Sequence, residues 1–203
     1  MTYLYLIRHA RSTWNAEGRM QGHADPPLDE LGQRQAKAVA ERLKTATLTA
    51  IYSSPLRRAR ATAEAIAHHH RLTVQYDDRL KERHLGEWTG LTGDEANEQS
   101  PELWANSAWR LQGPPGGESF PQLIERVAAT LEEVVATHPN DRVAIVTHGG
   151  TLSAVWLHLL GLTATSPLHF HSGNTSLARV RIEQGHVHVL GMGDDRHLDG
   201  IGR

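Results

Sequence analysis

Residues 2–8 are apolar on both faces of an extended chain until Arg8, which predicts a strand covered on both sides by helices. Residues 48–52 and 72–76 carry shorter runs of the same kind, and 142–147 gives the clearest strand signal. Two last strands are expected at 175–182 and 186–190, joined by the turn Glu183-Gln184-Gly185. Between these runs the apolar spacing changes to that of helices. Asp29 is placed to cap a helix whose buried stripe is Leu31, Ala36, Val39, Ala40 and Leu43. Pro55, after Ser53-Ser54, suits the first turn of a helix running to about residue 67. Ser119 opens a long amphipathic helix to about residue 138, with Phe120, Leu123, Val127, Leu131 and Val134 on one face. Gly149-Gly150 begins another, through residue 160.

Strands alternating with helices predict an α/β fold, a three-layer α/β/α sandwich with a mostly parallel central sheet and functional groups at the carboxyl ends of its strands. Two segments fall outside that rhythm. Residues 12–28 read as loop, with Asn15, Gly18, Gly22 and Pro26-Pro27. Residues 92–117 show a few helical turns, three prolines and the turn-forming Gly113-Pro114-Pro115-Gly116-Gly117, the pattern of a small cap insertion. There is no internal repeat, and 203 residues suit a single domain, 1–203.

Composition narrows the chemistry. A net charge of −2, with 39% hydrophobic and 22% charged residues, suits a globular domain and gives no basic surface for nucleic acid. The absence of cysteine removes disulfides, thiolate metal sites and cysteine nucleophiles. The apolar stretch at residues 3–7 is too short for a signal-peptide core or a membrane span. A cytoplasmic protein with no membrane partner is expected. The fourteen histidines include His68-His69-His70 at a helix end, where cationic or polar groups are favoured anyway, and His169-x-His171 and His186-x-His188, which lack carboxylates at ligand spacing, so no metal site is expected.

Four places along the chain carry the chemistry. The first strand ends in Arg8-His9, followed by Ala10-Arg11-Ser12-Thr13-Trp14-Asn15. The second ends before Ser53-Ser54-Pro55-Leu56-Arg57-Arg58-Ala59-Arg60-Ala61-Thr62, which puts arginines in the first turn of a helix, itself an anion site. The strand at 142–147 ends in His148-Gly149-Gly150, and between them lies Lys81-Glu82-Arg83-His84-Leu85-Gly86-Glu87-Trp88. An imidazole beside guanidinium groups is a nucleophile beside a phosphate clamp.

In that order and over nearly the whole chain, these motifs resemble the histidine phosphatase superfamily, which includes the cofactor-dependent phosphoglycerate mutases. The resemblance implies a phosphoglycerate-mutase-like fold, His9 as the nucleophile that becomes phosphohistidine, and no metal or other cofactor. It implies that Arg8, Arg58 and His148 surround the phosphoryl oxygens and that Glu82 is the general acid and base. Arg58 fits the family's Arg-Ala-x-x-Thr pattern better than Arg57 or Arg60. Ser12, Asn15, Gln21 and Gly149 complete the implied phosphate and substrate contacts. Glu87 is a rival to Glu82, and Trp14, Trp88, Trp104 and Trp109 are candidates for the pocket wall.

The family usually has glycine where Ala10 stands, and Arg11 occupies the position of an acidic or polar residue. An added methyl near the phosphate and an added charge at the mouth are expected from these changes. Hydrolysis of a small phosphorylated metabolite is the leading expectation. A short 82–148 segment, Leu85 where mutases carry an aromatic residue, and Gly116-Gly117-Glu118-Ser119 favour it over mutase activity. A non-catalytic phospho-ligand binder is the third reading. The leaving group and the oligomeric state stay open.

Overall fold

The structure, a computed structural model, describes residues 1–105 and 108–202. Its elements run β1 (Thr2–Arg8), α1 (Thr13–Ala16), α2 (Glu30–Leu43), β2 (Ala50–Ser53), α3 (Arg57–His70), β3 (Val74–Tyr76), α4 (Gly93–Gln99), α5 (Pro101–Ala105), α6 (Ala108–Gln112), α7 (Phe120–Thr137), β4 (Arg142–Thr147), α8 (Gly149–Leu159), β5 (Leu177–Glu183) and β6 (His186–Asp194). The strands form one six-stranded sheet in the order β3-β2-β4-β1-β5-β6. The first four are mutually parallel, while β5 and β6 form an antiparallel margin.

Alternation along the central strands sorts the core into two layers. Leu4, Leu6, Val143 and Ile145 join Leu123, Val127 and Leu131 of α7 and Leu152, Val155 and Trp156 of α8. Tyr5, Ile7, Ala144 and Val146 face the other way, onto Val39 and Leu43 of α2 and Ala59, Ala63 and Ile66 of α3. A strand with both faces buried must be apolar at every position, which is why β1 and β4 read as unbroken apolar runs.

The same sorting makes the site. The chain leaves β1 towards α2 on one face and leaves β4 towards α8 on the other, although β1 and β4 are neighbours. That opens a crevice at their carboxyl ends, the place where such sheets bind ligands. The parallel register pairs Arg8 with Thr147, and the amide of His9 donates to the Thr147 carbonyl at 2.8 Å, so His9 and His148 leave the sheet side by side.

Three local expectations are corrected. Pro55 lies outside its helix, because α3 starts at Arg57 after the extended residue Leu56. Residues 12–28 contain a helical turn, α1, capped by Ser12. The fifth strand begins at Leu177 because Thr175 sits at a φ of 54°, a left-handed conformation that is strained for a β-branched residue. Among the described residues, no helix is long and apolar enough to cross a membrane.

Candidate active site

The carboxyl ends of β1, β2 and β4 surround a cavity of about 480 Å³. Arg8, His9, Asn15, Gln21, Arg58 and Glu82 all line it, so six of the residues singled out in the sequence share one wall. Ser12, His148 and Gly149 do not reach that wall. Ser12 is fully buried. Its hydroxyl donates to Gln21 Oε1 at 2.7 Å and accepts the Asn15 amide at 3.1 Å, so it holds the two residues that do line the cavity. Gly149 lies against Arg8, where an added Cβ would stand 3.6 Å from Nε.

His9 is only 2% exposed. Its Nδ1 lies 2.7 Å from the carbonyl of Ala10, which can only accept, so Nδ1 carries the proton and Nε2 keeps its lone pair. Burial, then Arg58 and Arg8, hold its pKa well below the usual value, and the ring is neutral at pH 7. Asn174 adds a further hold, donating Nδ2 to the His9 carbonyl at 3.0 Å and to Asn15 Oδ1 at 3.4 Å. The amide of the strained Thr175 donates to the carbonyl of Arg8 at 3.1 Å.

The His148 ring centre stands 5.0 Å from that of His9. Ser54 Oγ accepts the Leu56 amide at 3.3 Å and lies 2.8 Å from His148 Nε2. Among the described residues the Ser54 hydroxyl has no other acceptor for its own proton, so it donates to Nε2, which assigns the ring proton to Nδ1. Burial and then Arg58 keep this ring neutral as well.

Arg8 donates Nη1 to the Ser172 carbonyl at 2.6 Å, and Arg58 donates to the carbonyls of Ala24 and Gly22 at 2.7 and 2.9 Å. Burial lowers both guanidinium pKa values, that of Arg58 to about 10, and both remain cations at neutral pH. Arg8 Nε, Arg58 Nε and His148 Nδ1 are buried donors with no hydrogen-bond partner among the described residues. Donors of that kind are costly unless an acceptor reaches them.

Glu82 closes the set from a loop. Its Oε2 accepts the Gly150 amide at 3.0 Å, and its Oε1 accepts the amides of Thr151 at 3.1 Å and Arg83 at 2.8 Å. The carboxylate therefore sits on the N-terminus of α8, held by its free amides. Glu87 lies elsewhere and does not line the cavity.

The outer wall was largely hidden in the sequence. It comprises Leu85, Phe120, Leu157 and Phe170 together with Arg83 and Trp109. Of the tryptophans considered, only Trp109 is on it; Trp88 is fully buried, and Trp104 stacks on Trp109 at 5.5 Å. Arg83 is buried, and among the described residues its side chain donates to two carbonyls, of Glu118 at 2.7 Å and Trp109 at 3.1 Å. It makes no ion pair among the described residues, and burial lowers its pKa to about 10. Its position beside Glu82 in the motif was the only signal.

Two expectations about the departures from the family pattern fail. Arg11 is not at the cavity; it pairs with Asp29 at 2.7 Å. Ala10 is fully buried, has no positive φ and does not line the cavity, so its methyl neither strains the backbone nor crowds the wall.

A neutral imidazole with a free Nε2, beside two guanidinium groups and a helix-bound carboxylate at the switch point of a parallel sheet, belongs to enzymes of phosphoryl transfer. The sequence profile of the histidine phosphatase superfamily (branch 1) matches residues 4–195, and the chain belongs to that family. It is similar to a metal-independent phosphoserine phosphatase of Arabidopsis thaliana, at 38% identity over all of this chain and 85% of the relative. Phosphoserine phosphatase 1 of Hydrogenobacter thermophilus is 37% identical over 98% of this chain and 95% of its own. Among solved structures, the mycobacterial glucosyl-3-phosphoglycerate phosphatase superposes with a TM-score of 0.86 at 34% identity, covering 94% of this chain and 98% of that one. The chain is a phosphatase of this superfamily, and the mutase alternative is the less supported.

Proposed function

We propose that the enzyme hydrolyses a small phosphomonoester whose alcohol carries a carboxylate, through a phosphohistidine at His9. The Nε2 lone pair attacks phosphorus in line, the bond to the leaving oxygen breaks, and Glu82 gives that oxygen a proton. Water then attacks phosphorus, Glu82 takes its proton, and the N–P bond breaks to release phosphate and regenerate neutral His9. Splitting the transfer in this way makes each half easier, and proton transfer by a placed carboxyl group contributes about 10²–10⁴-fold.

Arg8 and Arg58 hold the non-bridging oxygens, with Asn15 and Gln21 beside them. Binding brings an oxygen within reach of the Nδ1–H of His148, whose ring lies 5.0 Å from that of His9 and off the open wall. The observation that carries this reading is the group of unpartnered buried donors next to a neutral His9. The phosphoryl group supplies the acceptors they lack, and the cations oppose its developing charge.

The carboxylate follows from Arg83. A buried guanidinium on the cavity wall that no carboxylate among the described residues pairs with directly, although Glu118 and Glu82 lie near enough to act on it, is suited to an anion on the substrate. Phosphoserine and glucosyl-3-phosphoglycerate, named for the relatives, both carry one. We place the reaction in the cytoplasm, where a cysteine-free chain is at home. The test is phosphate release from a panel in which phosphoserine and 3-phosphoglycerate are set against ethanolamine phosphate and glycerol phosphate. At least tenfold higher kcat/KM on the carboxylated members is expected, and equal values would remove the carboxylate from the proposal.

A further inference from the structure

Glu82 lies between two single helical turns, at Asp78–Leu80 and Gly86–Trp88, with no strand ladder to hold its backbone. A proton donor on such a segment needs support from outside it. Arg126, in α7, supplies that support, and it does not itself line the cavity. Its Nη1 donates to the carbonyls of Arg79 at 2.6 Å and Lys81 at 2.9 Å. Nη2 donates to the carbonyl of Glu82 at 3.0 Å and to Glu118 Oε2 at 2.9 Å, and Nε donates to Glu118 Oε1 at 2.6 Å. All five N–H groups of the guanidinium are thus used, three on the segment that carries Glu82 and two on one carboxylate.

Glu118 completes the grip. It accepts the His84 amide at 3.2 Å through Oε2, while its own amide donates to the His84 carbonyl at 2.8 Å. Burial would raise its pKa, but the hydrogen bonds from Arg126 outweigh that and keep it an anion. Gly86 and Gly117 let the two segments approach: a Cβ on Gly86 would lie 2.0 Å from the Pro115 carbonyl oxygen, and one on Gly117 2.8 Å from that of His84. Gly116-Gly117-Glu118-Ser119 is therefore a device for docking one loop on another.

We propose that Arg126, oriented by Glu118, is the positioning residue for Glu82, and that this motif acts on the reaction through that clamp. The inference rests on Glu82 being the proton donor. A fixed planar fork with five donors is required, and lysine, with three donors on a flexible stem, reproduces only part of it.

The experiment measures kcat and KM of wild type, Glu82→Gln, Arg126→Lys, Arg126→Met, Glu118→Gln and Glu82→Gln/Arg126→Met on phosphoserine and on p-nitrophenyl phosphate. The second substrate has a leaving group that needs little protonation. Displacing a catalytic group by about 1 Å costs on the order of 10²-fold. Because hydrolysis of the phosphohistidine is common to both substrates, the readout is kcat/KM, which reports formation of that intermediate. Arg126→Met is expected to lose about that much kcat/KM on phosphoserine and at least tenfold less on p-nitrophenyl phosphate. Arg126→Lys and Glu118→Gln should show the same substrate dependence with smaller losses, and the double variant should be no slower than Glu82→Gln. Should Arg126→Met not fold, the Lys and Glu118→Gln variants carry the test. If Glu82→Gln shows the substrate dependence in kcat/KM but the Arg126 and Glu118 variants lower kcat/KM equally on both substrates, the clamp has no positioning role. If Glu82→Gln itself shows no such dependence, it is the assignment of Glu82 that fails.

Discussion

Gly150 donates its amide to Glu82 Oε2 at 3.0 Å, and a Cβ at Gly150 would stand 2.5 Å from Glu82 Oε1. The second residue of α8 must therefore lack a side chain if the carboxylate is to rest on the helix terminus. Gly150 has no positive φ, so backbone freedom is not the reason for glycine here. Close approach is.

That separation gives a clean variant. Gly150→Ala adds a good helix former to α8 and is expected to leave Tm unchanged or slightly raised. It pushes Glu82 aside, so kcat/KM on phosphoserine should fall by about 10²-fold, with a much smaller loss on p-nitrophenyl phosphate. Thermal melts and steady-state rates check both halves, and an unimpaired rate on phosphoserine would show that Glu82 acts from another position.

Arg83 makes a prediction about binding rather than rate. Hydrogen bonds to charged groups contribute about 1.5–3 kcal/mol, so Arg83→Met should lower kcat/KM for phosphoserine by about 10- to 100-fold. Ethanolamine phosphate, which lacks the carboxylate, should change little. Equal losses on both would show that Arg83 only supports Trp109 and Glu118.

Ala10→Gly is expected to gain nothing in rate. The residue is fully buried, away from the cavity wall and in ordinary backbone geometry, and its amide donates to Thr62 Oγ1 at 3.0 Å. Removing the methyl frees the unfolded chain and costs about 0.5–1 kcal/mol. Tm should drop by a few degrees with kcat unchanged; a faster enzyme would contradict this.

The buried histidines set a pH dependence of stability. His9 and His148 both have pKa values well below the ordinary 6.5, through burial and the neighbouring arginines, and His23, His70 and His197 shift the same way. Below 6.5 the unfolded chain takes up protons that the native state refuses, so stability falls with decreasing pH until the native values are reached. Tm should decline between about pH 7.5 and about pH 5.5, and His148→Asn should flatten the decline. A flat profile in the wild type would mean that these rings take up protons as readily in the native state as in the unfolded chain.

Much of this was legible in the sequence, for a physical reason. A strand buried on both faces must be apolar throughout, so β1 and β4 announced themselves, and the residues that follow them had to meet at the sheet edge. His9, Arg8, Arg58 and Glu82 were readable because each lies at a point where one element gives way to the next. Ser12 was assigned to the phosphate because the family resemblance implies a hydroxyl contact three residues after the nucleophile; its role as a cap on α1 depends on where Asn15 and Gln21 turn. Arg126 and Asn174 could not be read at all. Their partners lie 44 residues away at Glu82 and 165 away at His9, and one sequence holds no trace of contacts at that range.

The measurement that bears most directly on the mechanism is acid-free quenching of the enzyme during turnover of ³²P-labelled phosphoserine, with the label mapped on the chain. The account predicts a base-stable, acid-labile phosphoramidate on His9, formed within the first turnover and absent from a folded, inactive His9→Ala protein. Turnover that survives His9→Ala, or label on any other residue, would contradict it.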